Sequence, residues 1–93
     1  MTHKIKILEQ YASAVVSGDK CFEVRKNDRN YQVGDFVEFI VIDAAGEKIL
    51  HELNGISYVI TYVLSGLSGF GIKDGWVVFG MKRNRFGEGV IPW

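Results

Sequence analysis

Ninety-three residues, 47% hydrophobic, 24% charged and 13% aromatic, make one ordinary globular domain, which excludes a multidomain enzyme and the composition of a disordered chain. Eleven Lys plus Arg balance eleven Asp plus Glu, so no overall field draws the molecule onto a polyanion, and indiscriminate coating of nucleic acid is excluded. One cysteine cannot close an internal disulfide, and neither a charged-then-apolar leader nor a run of about 18 apolar residues is present, so a cytoplasmic protein with no membrane segment is expected.

His3 to Leu8 alternates, with Ile5 and Ile7 on one side and Lys4 and Lys6 on the other, as a half-buried strand does. The period changes over Glu9 to Ser17. Tyr11, Ala12, Val15 and Val16 share one helical face, Glu9 suits a first turn, and Gly18 is a C-terminal stop. Period two returns from Lys20, with Phe22 and Val24 expected towards the core and Glu23 and Arg25 towards solvent or a cleft. Asn27 to Asn30 and Val33-Gly34-Asp35 are turn clusters, and Phe36 to Asp43 is a run of β-branched and aromatic residues suited to a central strand. Ala44 to Lys48 is expected to connect, as a hairpin, to a strand over Ile49 to Leu53. Tyr58 to Leu64 and Trp76 to Lys82 complete the strands, joined by a glycine-rich connection from Ser65 to Gly75. Many short strands with one or two short helices predict an α+β domain built as a small β-barrel of mostly antiparallel strands over residues 1–83, with residues 84–93 as a C-terminal tail.

The densest polar constellation is Lys20-Cys21-Phe22-Glu23-Val24-Arg25-Lys26-Asn27-Asp28. Its plain reading is a surface ion pair, worth about 0 to 1 kcal/mol. Together with Gly18, Arg29, Val33-Gly34-Asp35, Gly69-Phe70-Gly71-Ile72-Lys73-Asp74-Gly75 and Trp76-Val77-Val78-Phe79-Gly80, it resembles the ASCH domain of the PUA-like superfamily, in a short stand-alone bacterial and phage branch of unknown function. The similarity runs from about His3 to Met81. It implies a small barrel with a cleft that binds RNA or a modified nucleobase. Carried onto this chain, Lys20, Arg25 and Lys26 would face phosphate or a base edge beside Asn27. Glu23 would accept from an exocyclic amine or hold Arg25 in place. Tyr31, Tyr58 or Phe70 would stack on an unpaired base, although core or barrel-rim packing is the favoured reading of each ring, because aromatic burial dominates small cores.

A relative in that superfamily is a small amidohydrolase acting on N4-acetylcytidine, and it supplies the alternative function. The resemblance implies a catalytic lysine at Lys20, but the position of the relative's threonine is Glu23, which cannot serve as that nucleophile. Cys21 is displaced by two positions and has no evident activating partner, and nothing in the spacing selects Glu38 or Glu52 as a further carboxylate. Catalysis is therefore the less favoured reading. Cys21, His3 and His51 are too scattered for a zinc set, so no metal is expected. Gly75 comes one residue too late for G-x-G-x-x-G and no G-K-[ST] occurs, so no cofactor is expected. Lys82, Arg83 and Arg85 would extend a phosphate-contacting surface. Val90, Ile91 and Trp93 would dock on the barrel or on a second copy, giving a monomer or a weak homodimer.

Overall fold

Along β1 (Thr2–Leu8), Lys4 and Lys6 are exposed while His3, Ile5 and Ile7 are buried, as the alternating pattern requires. The computed structural model describes residues 1–66 and 71–85. Helix α1 (Glu9–Ser17) follows without a linker and ends where Gly18 turns left-handed at φ 88°, its N–H donating to the Val15 carbonyl at 3.1 Å. Ala12 and Val15 are buried, but Tyr11 is not. The helix is too short to cover a wide stripe, and the tyrosine stands beside the open edge of β1.

Strand β2 (Phe22–Lys26) comes next, then β3 (Phe36–Ile42), β4 (Ser57–Ser65) and β5 (Trp76–Arg83). The sheet order is β1-β3-β4-β5-β2, with β1 and β3 parallel and the other pairs antiparallel. Val37, Phe39 and Val41 of β3 and Val77, Phe79 and Met81 of β5 bury alternate side chains in one core, which they share with Ile5 and Ile7 of β1, Ala12 and Val15 of α1, Leu53 and Ile60. The first and last strands of that order lie at opposite edges, yet Arg25 of β2 donates from Nη2 to the Lys6 carbonyl of β1 at 2.6 Å. The sheet must therefore curl back on itself. It is an α+β half-barrel, with a side chain bridging a gap that backbone pairing would fill in a closed barrel.

The strand expected over Ile49 to Leu53 is absent. Asp43 Oδ1 accepts from the N–H groups of Ala45 and Glu47, both at 2.9 Å, and closes the turn. Only an isolated Ile42 to Lys48 bridge follows. Asn54 then stands in for a backbone partner: its Oδ1 accepts from the Val41 N–H at 2.8 Å and its Nδ2 donates to the Ile49 carbonyl at 2.8 Å. A side-chain amide satisfying both groups removes the need for a strand there.

The turn before β3 is fixed by Gly34 at φ 93° and by Asp35, whose Oδ2 lies 2.8 Å from His3 Nε2 and accepts from the Gln32 N–H at 3.2 Å. Partial burial works against the Asp35 charge. The His3 and Gln32 hydrogen bonds, with the cationic terminus and His3 nearby, outweigh it and hold the carboxyl below its ordinary 3.8. A carboxyl depressed in the folded state contributes stability above its unfolded value and loses it as pH falls towards the folded one. Thermal melts should therefore show Asp35→Asn less stable than the parent near neutral pH, with the gap closing below about pH 4. A gap of constant size across that range would contradict the assignment.

Candidate functional site

A groove of about 860 Å³ runs along the gap between β1 and β2. The face that β2 turns towards it is set by β5. Glu23 pairs with Phe79 and Arg25 with Val77, and directly opposed residues in an antiparallel pair share a face. Since Phe79 and Val77 are buried, Glu23 and Arg25 must point inward too, while Phe22 and Val24 point out. The expected core placement of Phe22 and Val24 is thereby overturned, whereas Glu23 and Arg25 do face a cleft: Glu23 is 4% exposed, Phe22 46% and Val24 52%.

A buried carboxylate needs compensation, and Glu23 receives it on both oxygens. Lys20 Nζ donates to Oε1 and Arg25 Nε donates to Oε2 at 2.8 Å. Lys20 Nζ also donates to the Phe22 carbonyl at 2.9 Å and lies 5.2 Å from the centroid of the Phe22 ring. Arg25 is tied at Nε to Glu23 and at Nη2 to Lys6, which leaves Nη1 free to donate among the described residues. Glu23 thus orients two cations. With both oxygens engaged it is poorly placed to read a base amine.

Around this triad the groove is lined by Lys4, Lys6, Lys26 and Arg29, with Asp28 the only other carboxylate among the described residues. Its aromatic lining is Tyr11, Phe22, Tyr31 and Trp76. Tyr31 forms floor rather than lip, with ring centroids 4.7 Å from His3 and 4.9 Å from Phe79. Burial pushes its phenol upward, although Arg25 and Arg29 pull the other way. Phe22, Trp76 and Tyr11 keep ring surface in solvent.

The structure thus brings Lys20, Glu23, Arg25, Lys26 and Tyr31 together. Tyr58 does not join them. It is buried, packed edge-on against Phe39 at 5.7 Å, and its hydroxyl donates to the Val15 carbonyl at 3.4 Å. Burial raises its phenol despite Arg83 and Arg85 nearby. Asn27 is exposed beside the strand end, its N–H donating to the Gly75 carbonyl at 2.9 Å. Phe70 and the tail residues 86–93 lie outside the described residues. Glu38 and Glu52 do not line the groove, and Cys21 lines a different one. His3 is held by Asp35, and His51 Nε2 lies 3.4 Å from Ser13 Oγ. No cluster of three or more His, Cys, Asp or Glu suited to a metal occurs among the described residues. Nor does any described helix have the length and apolarity to cross a membrane.

Phe22, Tyr11 and Trp76, together with Lys4 and Lys6 of β1, are groove residues that sequence reasoning missed. The available signal is Glu23 itself, because a carboxylate flanked by cations at positions 20 and 25 can be neutralised well enough to face inward.

A curled half-barrel with a basic groove at its unpaired edges describes a class of small α+β domain. Residues 2–81 match the family model described as Domain of unknown function (DUF3850), and the chain belongs to that family. A solved structure described as the crystal structure of hypothetical protein PH0355 is similar in fold, with a TM-score of 0.58 at 16% identity over 90% of this chain and 100% of that one. No curated protein matches.

Proposed function

We propose that the half-barrel is a PUA-like module of the ASCH type and that its groove binds RNA or a modified nucleobase. The observation carrying this reading is the Lys20–Glu23–Arg25 triad, set in a groove that is basic and aromatic on a molecule of zero net charge. Held cations meet phosphate or base acceptors without first losing side-chain freedom. Exposed rings on the same rim offer stacking surface that tolerates any base.

Fluorescence anisotropy with short RNA oligomers at several salt concentrations tests it. Binding should weaken as salt rises. Arg25→Lys keeps the charge but loses the fork geometry, and should reduce affinity by roughly tenfold while the fold is retained. Absence of RNA binding, or equal binding by Arg25→Lys, would defeat the reading.

The amidohydrolase alternative draws on the same Lys20–Glu23 contact, which joins an amine to a carboxylate inside the groove. Incubation with acetylated cytidine followed by chromatography separates the two: turnover that disappears in Lys20→Ala favours the enzyme, and unchanged substrate removes it.

A further inference from the structure

A second groove, of about 420 Å³, lies where the end of α1 meets the far end of β5. Lys20, Lys82, Arg83 and Arg85 line it, and among the described residues no acidic side chain does. Among the described residues no carboxylate forms an ion pair with Lys82, Arg83 or Arg85. The partial negative charge at the C-terminal end of α1 is small beside the full positive charges of Lys82, Arg83 and Arg85.

Lys20 lines both grooves, so the two adjoin at that residue. Among the described residues they take nine of the eleven Lys and Arg but, of the acids, only Glu23 and Asp28. Glu23 is shared between Lys20 and Arg25, two of those nine cations, so the excess of positive charge along the grooves remains. Asp43, Glu47 and Glu52 lie instead in or beyond the connection after β3. A neutral protein with this segregation presents one continuous basic track, which a single ion pair or a mononucleotide site does not require.

We propose that the ligand is a single-stranded nucleic acid longer than one nucleotide, running from the first groove past Lys20 into the second, where Lys82, Arg83 and Arg85 take its backbone phosphates. This rests on the nucleotide reading of the first groove. A single strand is favoured because the exposed rings of Tyr11, Phe22 and Trp76 lie on the first groove, whereas Tyr58, which lines the second, is buried against Phe39, so bases are gripped at one end and backbone at the other.

The test compares the parent with the triple variant Lys82→Gln, Arg83→Gln, Arg85→Gln, and with Arg85→Gln alone, whose position lies past the end of β5. Each is titrated with a nucleoside monophosphate, a ten-nucleotide RNA and a phosphorylated peptide across a salt series. The triple variant should bind the RNA roughly 10- to 100-fold more weakly, and its logarithmic salt slope should become shallower by about 2, near 0.7 for each phosphate that is no longer neutralised. Arg85→Gln should show about a third of that slope change. Mononucleotide binding should stay at the parental level in both. RNA affinity and slope unchanged in the variants would overturn the track. An equal loss for the mononucleotide would overturn the separation of the two grooves. Phosphopeptide binding as tight as RNA binding would overturn the choice of nucleic acid. Failure of the parent to bind either nucleotide probe would instead defeat the underlying reading.

Discussion

Replacing Lys20 and Arg25 together by alanine should lower the folding free energy by about 3–5 kcal/mol, because it leaves the Glu23 carboxylate buried without a partner. Glu23 is inside because β5 sets the parity of β2, and the cations that compensate it come from the two positions whose side chains reach its oxygens. The penalty belongs to the orphaned charge, so adding Glu23→Leu to the double variant should recover most of the loss. A residual deficit of about 1 kcal/mol is expected from removing the bond between Arg25 and the Lys6 carbonyl. Urea denaturation of the three proteins measures this directly. A double variant within about 1 kcal/mol of the parent, or a triple variant no better than the double, would mean that the carboxylate is solvated in the folded state.

Phe79→Ala should cost a similar amount, about 3–5 kcal/mol, from the forfeited transfer energy and the cavity left behind. The ring is fully buried and meets Tyr31, which in turn meets His3 beside Asp35. The substitution should therefore loosen the floor of the groove as well as the core. Proton NMR of the variant should show the Tyr31 and His3 ring resonances shifted while those of Trp76 at the rim stay in place. Native stability in Phe79→Ala would contradict the packing described.

Much of the fold is legible in the residues. The alternation of Lys4-Ile5-Lys6-Ile7 specifies β1, and the change of period with Gly18 as stop specifies α1 from Glu9 to Ser17. The inward face of β2 is not legible from Phe22-Glu23-Val24-Arg25 alone, because the apolar pair reads as core. The deciding influence is non-local: β5 is apolar at almost every position, so its parity emerges only once Val77, Phe79 and Met81 pack against β3 and β4. The same holds for Ile49 to Leu53, where Asn54 replaces a strand through side-chain hydrogen bonds to Val41 and Ile49 that composition does not reveal. The Lys20, Glu23 and Arg25 cluster is visible as a motif, but its rim of Phe22 and Trp76 depends on that reversed parity. Tyr58 is a plausible stacking ring by type alone, and core packing against Phe39 takes it away from the groove.

The most direct measurement is a crystal structure of the protein grown with a short RNA. The expected density places a phosphate or base acceptor within hydrogen-bonding distance of Arg25 Nη1 and Lys20 Nζ, with a base against Phe22 or Trp76. RNA bound elsewhere on the surface, with the space between β1 and β2 holding only solvent, would contradict the assignment.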